Sequence, residues 1–393
     1  MEKQINIIGT AFGCSGYDIH TRELANALNE LIPVRLSVNM QPGIESSLND
    51  KEIEMVKRQP IKDEINLIIT TPNQWIMHTN NKRNWAYCVW EGDRVPESFI
   101  EDFINPDIEY IIVPSFHTKK AIVNTLKDME EFKEGWKTGD EDSILIISKI
   151  VVIPHGVDLK KFHPQQNKNQ LELRDEPSGN SNSTTDCGIK PAGIFTFLCN
   201  KGFRNLEDRG GVQYTIRAYL EEFTDKDNVS LFLKINPAYG IPDLNNLINQ
   251  LKPRNENLPK ITISGDNLPY SDLVNLYNNC DVFVSSTRAE GFNIPCIEAM
   301  ACGKPVITTN FGGQTDFCNE NNSWIINGKL TEIKHEVLYE GTKWLNPNIK
   351  ELSAKMREAY EGNDLQRKSE CAKATANLFQ WKNTAKKIHN LIK

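Results

Sequence analysis

The sequence has nine cysteines but no Cys-x-x-Cys pair, so neither a zinc ribbon nor a thioredoxin-like motif is present. They are Cys14, Cys88, Cys187, Cys199, Cys280, Cys296, Cys302, Cys318 and Cys371, odd in number and scattered. This excludes a small disulfide scaffold and fits reduced, mostly buried thiols. No apolar run approaches the ~18 residues of a membrane span. Basic charge is not in excess: 45 Lys and Arg against 52 Asp and Glu give −7, which argues against a dedicated nucleic-acid binder. Seven scattered histidines offer no obvious metal-ligand pair. The start, Met1-Glu2-Lys3-Gln4, is too acidic, and its apolar stretch too short, for a secretory signal, so the cytoplasm is the expected location.

What is there suits a globular protein. The 393 residues are 39% apolar and 25% charged, enough for sizeable cores in two or three domains. Strand-length apolar runs at Ile5–Ile8, Val34–Val38, Asn66–Ile69, Ala86–Trp90, Ile108–Val113 and Ile150–Ile153 alternate with amphipathic helical stretches. Such alternation predicts a parallel sheet covered by helices on both faces. Residues 165–192 are rich in Asn, Gln, Ser, Thr, Gly and Pro and read as a solvated linker or insertion. A second α/β series follows, with strands at Ile194–Cys199, Val229–Ile235, Lys260–Ser264, Asp281–Ser285 and Pro305–Thr308. Its helices are expected at Gly211–Phe223, Ser271–Asn278, Pro295–Cys302 and from Ile349 onward. The expected fold class is α/β with two doubly wound, Rossmann-like domains.

Trp381, Ala385, Ile388 and Ile392 recur at helical spacing, with Lys382, Lys386, Lys387 and Lys393 between them. One reading is a basic helix in weak peripheral contact with anionic lipid, at the inner face of a membrane. The plainer reading is an amphipathic helix packed on the protein.

Three segments carry candidate chemistry. Gly9-Thr10-Ala11-Phe12-Gly13-Cys14-Ser15-Gly16 joins a strand to a helix, where amides and the helix dipole can meet an anion. Its spacing is neither Gly-x-Gly-x-x-Gly nor a Walker loop, so a ligand-free turn is as good a reading. In the second segment, 281–313, a buried strand ends near Ser285, a polar loop with Gly291 follows, and Pro295 suits the first residue of a helix that Gly303 stops. The amides of Phe292, Asn293 and Ile294 would face the crevice at the strand ends, an environment that suits a diphosphate. Glu298, one turn into the helix, suits two ribose hydroxyls, and Glu290 lies in the loop before it. The third segment, Asn200-Lys201-Gly202-Phe203-Arg204 to Arg209-Gly210-Gly211, is a cationic loop after a strand. Asp140-Glu141-Asp142 and Asp225-Lys226-Asp227 match Asp-x-Asp but sit in strongly polar stretches and read as solvated acids.

Glu290-x7-Glu298 within Glu-Gly-Phe-Asn-Ile-Pro-Cys-Ile-Glu-Ala-Met-Ala-Cys-Gly-Lys-Pro-Val-Ile resembles the signature of glycosyltransferase family 4. Other segments resemble the family in order. Val152-Ile153-Pro154-His155-Gly156-Val157-Asp158 is similar to its hinge segment, with His155 in place of the more usual Asn. Leu268 to Asp281 is similar to the stretch before its signature strand, and Phe379-Gln380-Trp381 to its terminal crossing helix. The resemblance spans nearly the whole chain apart from 165–192.

It implies the GT-B fold, with an N-terminal acceptor domain (1–164 plus the crossing helix 376–393) and a nucleotide-sugar-binding domain (193–375). It implies an enzyme, a hexosyltransferase that retains anomeric configuration and uses a nucleotide-diphosphate sugar. The acceptor would be a hydroxyl of a glycan or lipid-linked sugar, with neither metal nor other cofactor required. By resemblance, Arg209 with either Lys201 or Arg204 binds the diphosphate. Glu298 binds the ribose, Glu290 lies near the donor sugar, and Phe292, Asn293 and Ile294 contact phosphate and sugar through their backbone. Gly13 to Gly16 resembles the N-domain loop near the diphosphate. Many members carry a His after a middle strand of the N-domain, where this chain has Trp90-Glu91-Gly92-Asp93. Glu91 is therefore the candidate to position the acceptor hydroxyl or stabilise charge at the anomeric carbon, with His78 the runner-up. The competing readings are a GT-B-like sugar phosphorylase and a non-catalytic subunit that binds a sugar nucleotide or a partner transferase.

Overall fold

In the computed structural model, strands β1 (Gln4–Gly9), β2 (Val34–Val38), β3 (Glu64–Ile69), β4 (Arg83–Tyr87), β5 (Ile108–Val113) and β6 (Ile150–Val152) form one parallel sheet, ordered β2-β1-β3-β4-β5-β6. The described residues are 3–13, 15–38, 48–79, 83–132, 140–165, 193–237, 240–251, 257–266, 268–334 and 336–392, without the side chains of 130–132 and 140. The polar stretch 165–192 lies outside them except for Gln165, as do Cys14, Cys187 and Lys393.

The strand residues alternate between two cores. In β3, Ile65, Leu67 and Ile69 join Ile5, Ile7 and Trp85 on one face, whereas Ile68 joins Ala86 and Ile111 on the other. This is the period of two that a sheet covered on both faces requires. Register is further held by a buried amide ladder. Asn6 Nδ2 donates to Asn66 Oδ1 (3.0 Å) and Asn66 Nδ2 to Asn84 Oδ1 (2.9 Å), across paired positions of β1, β3 and β4. A one-residue slip would bury these amides unpaired, which is costly.

The helices of this half are α1 (Gly16–Asn29), α2 (Asp50–Lys57), α3 (Ser98–Ile104), α4 (Phe116–Phe132) and α5 (Asp140–Lys149). The second sheet comprises β7 (Phe195–Lys201), β8 (Val229–Ile235), β9 (Lys260–Ser264), β10 (Val282–Ser285), β11 (Val306–Thr309) and β12 (Ser323–Ile326). It too is parallel, ordered β12-β11-β10-β7-β8-β9. An antiparallel hairpin, β13 (Gly328–Glu332) and β14 (Lys343–Pro347), is appended to it in sequence. The remaining helices are α6 (Val212–Glu222), α7 (Leu244–Leu251), α8 (Tyr270–Asn279), α9 (Ile294–Ala301), α10 (Ile349–Tyr360), α11 (Leu365–Ala376) and α12 (Trp381–Asn390).

Two doubly wound sheets are as expected, and most boundaries agree to within one or two residues. One difference bears on function. The strand expected at Ala86–Trp90 ends at Tyr87, so Cys88–Trp90 and Glu91 form a loop at its C-terminal end. Strands β12, β13 and β14 have no counterpart in the sequence reading. In β13 the side chains are mostly exposed, so no apolar run marks the strand.

α12 returns to the first half. Trp381, Ala385 and Ile388 are buried with Ile5 and Leu28, and the helix packs on α1. Lys382, Lys386 and Lys387 face outward. The packed reading of this helix accounts for its apolar stripe. Among the described residues, no helix is long and apolar enough to cross a membrane. Seven cysteines are described, and all but Cys371 are buried.

Candidate active site

Ligands in such sheets bind beyond the strand C-termini, where the winding reverses. In the first sheet that point lies between β1 and β3, and in the second between β7 and β10. Lys201 ends β7, and the loop from Ser286 to Asn293 leaves β10. The topology thus brings residues 85 positions apart in sequence to one edge.

There Lys201 Nζ donates to Glu290 Oε1 (2.9 Å) and to Asn293 Oδ1 (2.7 Å). Arg209 lies between two carboxylates, Nη1 at 3.4 Å from Glu290 Oε2 and Nη2 at 3.4 Å from Glu91 Oε1. Glu91 comes from the loop after β4, so this cluster spans both domains. Burial acts to raise the Glu290 carboxyl, but Lys201 and then Arg209 outweigh it and hold it below its ordinary value. For Glu91 the balance is reversed. Burial, aided by Glu290, pushes it up, and Arg209 and the Tyr339 hydroxyl only partly offset this.

Backbone bonds fix the cationic loop. Arg209 Nη1 donates to Ala289 O (2.8 Å), and the Arg288 N–H donates to Arg209 O (2.9 Å). Arg288 is buried and donates from Nη1 to Glu207 O at 2.7 Å. Gly211 has φ +78°, and a Cβ there would run into the backbone of Ser286. Only glycine lets the two loops meet so closely. Arg204, the alternative cation, is exposed, and its backbone N–H bonds Asp208. Lys201 is joined to Glu290 at 2.9 Å.

Helix α9 starts from Asn293, which adopts the left-handed conformation (φ +79°). Its side chain is committed on both sides, since Nδ2 donates to Ser285 Oγ (3.0 Å). Pro295 is the second helical residue rather than the first, and its missing N–H costs nothing there. Gly303 (φ +74°) ends the helix as expected, with Gly303 N–H on Met300 O and Lys304 N–H on Ala299 O. Phe292 packs on His155, Phe317 and Phe379, and both Phe292 and Ile294 are buried, so their backbone is what they can offer a ligand. Glu298 is buried and accepts from the Tyr277 hydroxyl at 2.8 Å. Burial pushes its carboxyl up to about 8, with Lys161 and Lys201 acting the other way.

The glycine loop is more occupied than its sequence suggests. Ser15 caps α1, and its N–H donates to Asp18 Oδ2 at 3.1 Å. A Cβ on Gly13 would sit 2.6 Å from that same oxygen, whereas Gly16 has open space around it. Arg22 braces the loop by donating to Gly13 O at 2.9 Å and to Ala11 O. A carboxylate therefore already takes one of the amides that an incoming anion would meet.

His78 closes the short 3-10 turn Pro72–Met77, and burial lowers its ring below the ordinary histidine value. The Asp-x-Asp candidates separate. Asp227 is tied to Arg357 (2.8 Å) and Thr224 (2.9 Å), whereas the side chain of Asp140 lies outside the described residues. Among the described residues, no group of three or more His, Cys, Asp or Glu is placed to hold a metal ion.

Three residues at the site had no sequence signal. Tyr339 donates to Glu91 Oε2 at 2.9 Å. His117 meets Glu91 O through Nε2 at 2.8 Å. Tyr17, on the first turn of α1, lies within electrostatic reach of Glu91 and Arg209, and burial pushes its hydroxyl up.

Residues 254–374 match the family described as glycosyl transferases group 1. A putative glycosyltransferase of the Sulfolobus islandicus filamentous virus is 26% identical over 155 residues, 39% of this chain and 43% of the relative. The chain thus spans less than half the length of that relative. Over its whole length the fold is similar to solved structures. A glycosyltransferase from Rickettsia africae superimposes with a TM-score of 0.65 at 19% identity, covering 99% of this chain and 97% of that one. Anabaena Alr3699/HepE, crystallised with UDP-glucose, gives 0.64 at 14%, covering 99% of each. The chain therefore carries the sequence pattern of glycosyl transferases group 1 in its second domain, on a GT-B fold that runs from end to end.

Proposed function

We propose that the protein is a retaining hexosyltransferase that moves a sugar from a nucleotide diphosphate to a hydroxyl of a glycan or lipid-linked acceptor without a metal. One observation carries the proposal: Lys201 and Arg209 are held by Glu290 at the switch point of the second sheet, facing Glu91 across the cleft. The cations are in place for a leaving diphosphate, whose developing charge they would offset. Glu298, beside Tyr277, would meet the ribose. The similarity to Anabaena Alr3699/HepE, solved with UDP-glucose, makes a UDP-sugar the first donor to try.

Glu290 then has two duties. Without donor it neutralises the cations; with donor bound, the diphosphate takes over that pairing and frees Glu290 toward the sugar. Transfer proceeds by front-face attack through an oxocarbenium-like state. The C1–O bond to the diphosphate breaks, the acceptor oxygen bonds C1 on the same face, and a diphosphate oxygen takes the acceptor proton. Glu91 stabilises positive charge at C1 or aligns the acceptor hydroxyl. Closure of the cleft keeps water from the donor.

A thermal-shift screen of nucleotide sugars tests the donor. A ligand at 100 times its Kd stabilises by about 2.7 kcal/mol. Unimpaired transfer by both Glu290→Ala and Arg209→Ala would sink the reading.

A further inference from the structure

The β13–β14 hairpin belongs to the second half of the chain but grips the first. Tyr339, at the end of the 3-10 turn between its strands, stacks on Trp90 with ring centroids 4.7 Å apart. Its hydroxyl donates to Glu91 Oε2 at 2.9 Å. A Cβ on Gly92 would lie 2.8 Å from Thr342 Oγ1. Asp93 Oδ1 accepts from the Lys343 N–H at 2.7 Å, and the Asp93 N–H reaches back to Lys343 O. Four consecutive residues, 90 to 93, thus touch the hairpin. Its base is anchored where Arg209 is anchored. The Leu345 N–H donates to Arg288 O (2.9 Å), and Trp344 lies under the Arg288 guanidinium, 5.3 Å from centroid to carbon.

We propose that this hairpin is a clasp across the cleft, and that Tyr339 is a positioning residue that fixes Glu91 from the opposite domain. The inference rests on Glu91 being a carboxylate of the active site. Arg209 approaches Oε1 only at 3.4 Å, too long to orient the group well. The hydroxyl on Oε2 supplies the short bond. Phe at 339 would keep the Trp90 stack but lose that bond.

The groups facing Glu91 define its charge. Burial and Glu290 disfavour the carboxylate; Arg209, Tyr339 and its own backbone N–H favour it. Tyr17 from α1 and Cys88 from the strand exit are pushed up by burial and stay neutral. His117 from α4 is pushed down by burial and is neutral too. Without the Tyr339 hydroxyl, Arg209 is the one side chain left among these to favour ionisation.

The test uses the full chain labelled with 13C at the glutamate side-chain carboxyls. NMR titration follows each carboxyl, and Glu91→Gln identifies the Glu91 signal. In Tyr339→Phe the Glu91 midpoint is expected to rise by about half to one pH unit, the worth of one hydrogen bond. Hydrogen exchange over 90–93 should stay as in the unaltered protein. Gly92→Val, which pushes against Thr342, should raise both the midpoint and the exchange. An unchanged Glu91 midpoint in folded Tyr339→Phe would reduce Tyr339 to packing and overturn its positioning role. Unchanged exchange in Gly92→Val would overturn the clasp. Neither readout involves a sugar nucleotide, so failure of the active-site role of Glu91, seen as full transfer by Glu91→Gln, is recognised separately.

Discussion

Lys201 Nζ lies 2.9 Å from Glu290 Oε1, one residue ending β7 and the other in the loop after β10. Lys201 side-chain exposure is 5% and that of Glu290 is 19%, so water screens this pair little. Lys201→Met leaves Glu290 with Arg209 and the Thr287 hydroxyl, both at 3.4 Å. Unfolding in urea should show a loss of about 2 kcal/mol, less than for a fully isolated buried charge because Arg209 remains. The thermal shift given by a nucleoside diphosphate should vanish in the same variant.

Arg209→Lys removes no charge but removes the fork. One guanidinium reaches Glu91, Glu290 and Ala289 O together, which a single ammonium cannot match. Transfer is expected to fall about 10²- to 10³-fold, the usual cost of a lost transition-state donor. Steady-state kinetics of transfer would check it, and a rate within twofold of the parent would contradict it.

Glu298 has an alkaline signature. Its folded carboxyl is raised to about 8, above the ordinary value of 4.5, by burial. The native state therefore keeps the proton that the unfolded chain loses. Stability from this group is full below about pH 4.5 and is lost as pH rises toward 8. Glu298→Gln cannot ionise, so its melting temperature should decline less than that of the parent between pH 6 and 9.

His20 and His155 set an acid limit. Their rings lie 4.2 Å apart, buried with Tyr87 and Trp381, and none of their nitrogens has a hydrogen-bond partner among the described residues. Burial lowers both, His155 to about 3, and His155 further disfavours charge on His20. The unfolded chain takes up protons below about pH 6.5 while the native pair does not. Their contribution to stability is thus present above that pH and lost as pH falls. His155 alone should cost about 2 kcal/mol between pH 7 and 5. Urea unfolding of His155→Asn at both pH values should show a smaller drop than the parent.

Gly211→Ala tests the loop contact. The residue has φ +78°, and its Cβ would strike the Ser286 carbonyl. Backbone strain alone costs about 1–2 kcal/mol, and the clash adds to it. Urea unfolding should show a loss above 1 kcal/mol, and transfer should fall too, since Arg209 is two residues away.

The periodicity of apolar runs made the two sheets legible, because a strand buried on both faces writes itself as Val229–Ile235 does. It failed for β13 and β14, whose side chains are mostly open to solvent in the first strand and whose pairing is settled by the partner strand rather than by an apolar run. The Glu290–Glu298 segment was legible as a site because a strand end, a glycine loop and a proline-started helix lie together in sequence. The choice between Lys201 and Arg204 was not, because they lie three residues apart in one cationic stretch and only the end of β7 at Lys201 points that residue at Glu290.

The sequence by itself determined the alternating α/β pattern, the polar stretch between its two halves, and the loop and helix that hold Glu290, Asn293 and Glu298. These are local properties, written in spacing, in glycine and proline positions, and in burial patterns. Only the tertiary structure decided that Glu91 and Arg209 meet, that Tyr339 holds Glu91, and that Asp18 already takes an amide of the glycine loop. Such contacts join residues distant in sequence, and their charge states follow from burial and neighbours that no single segment contains.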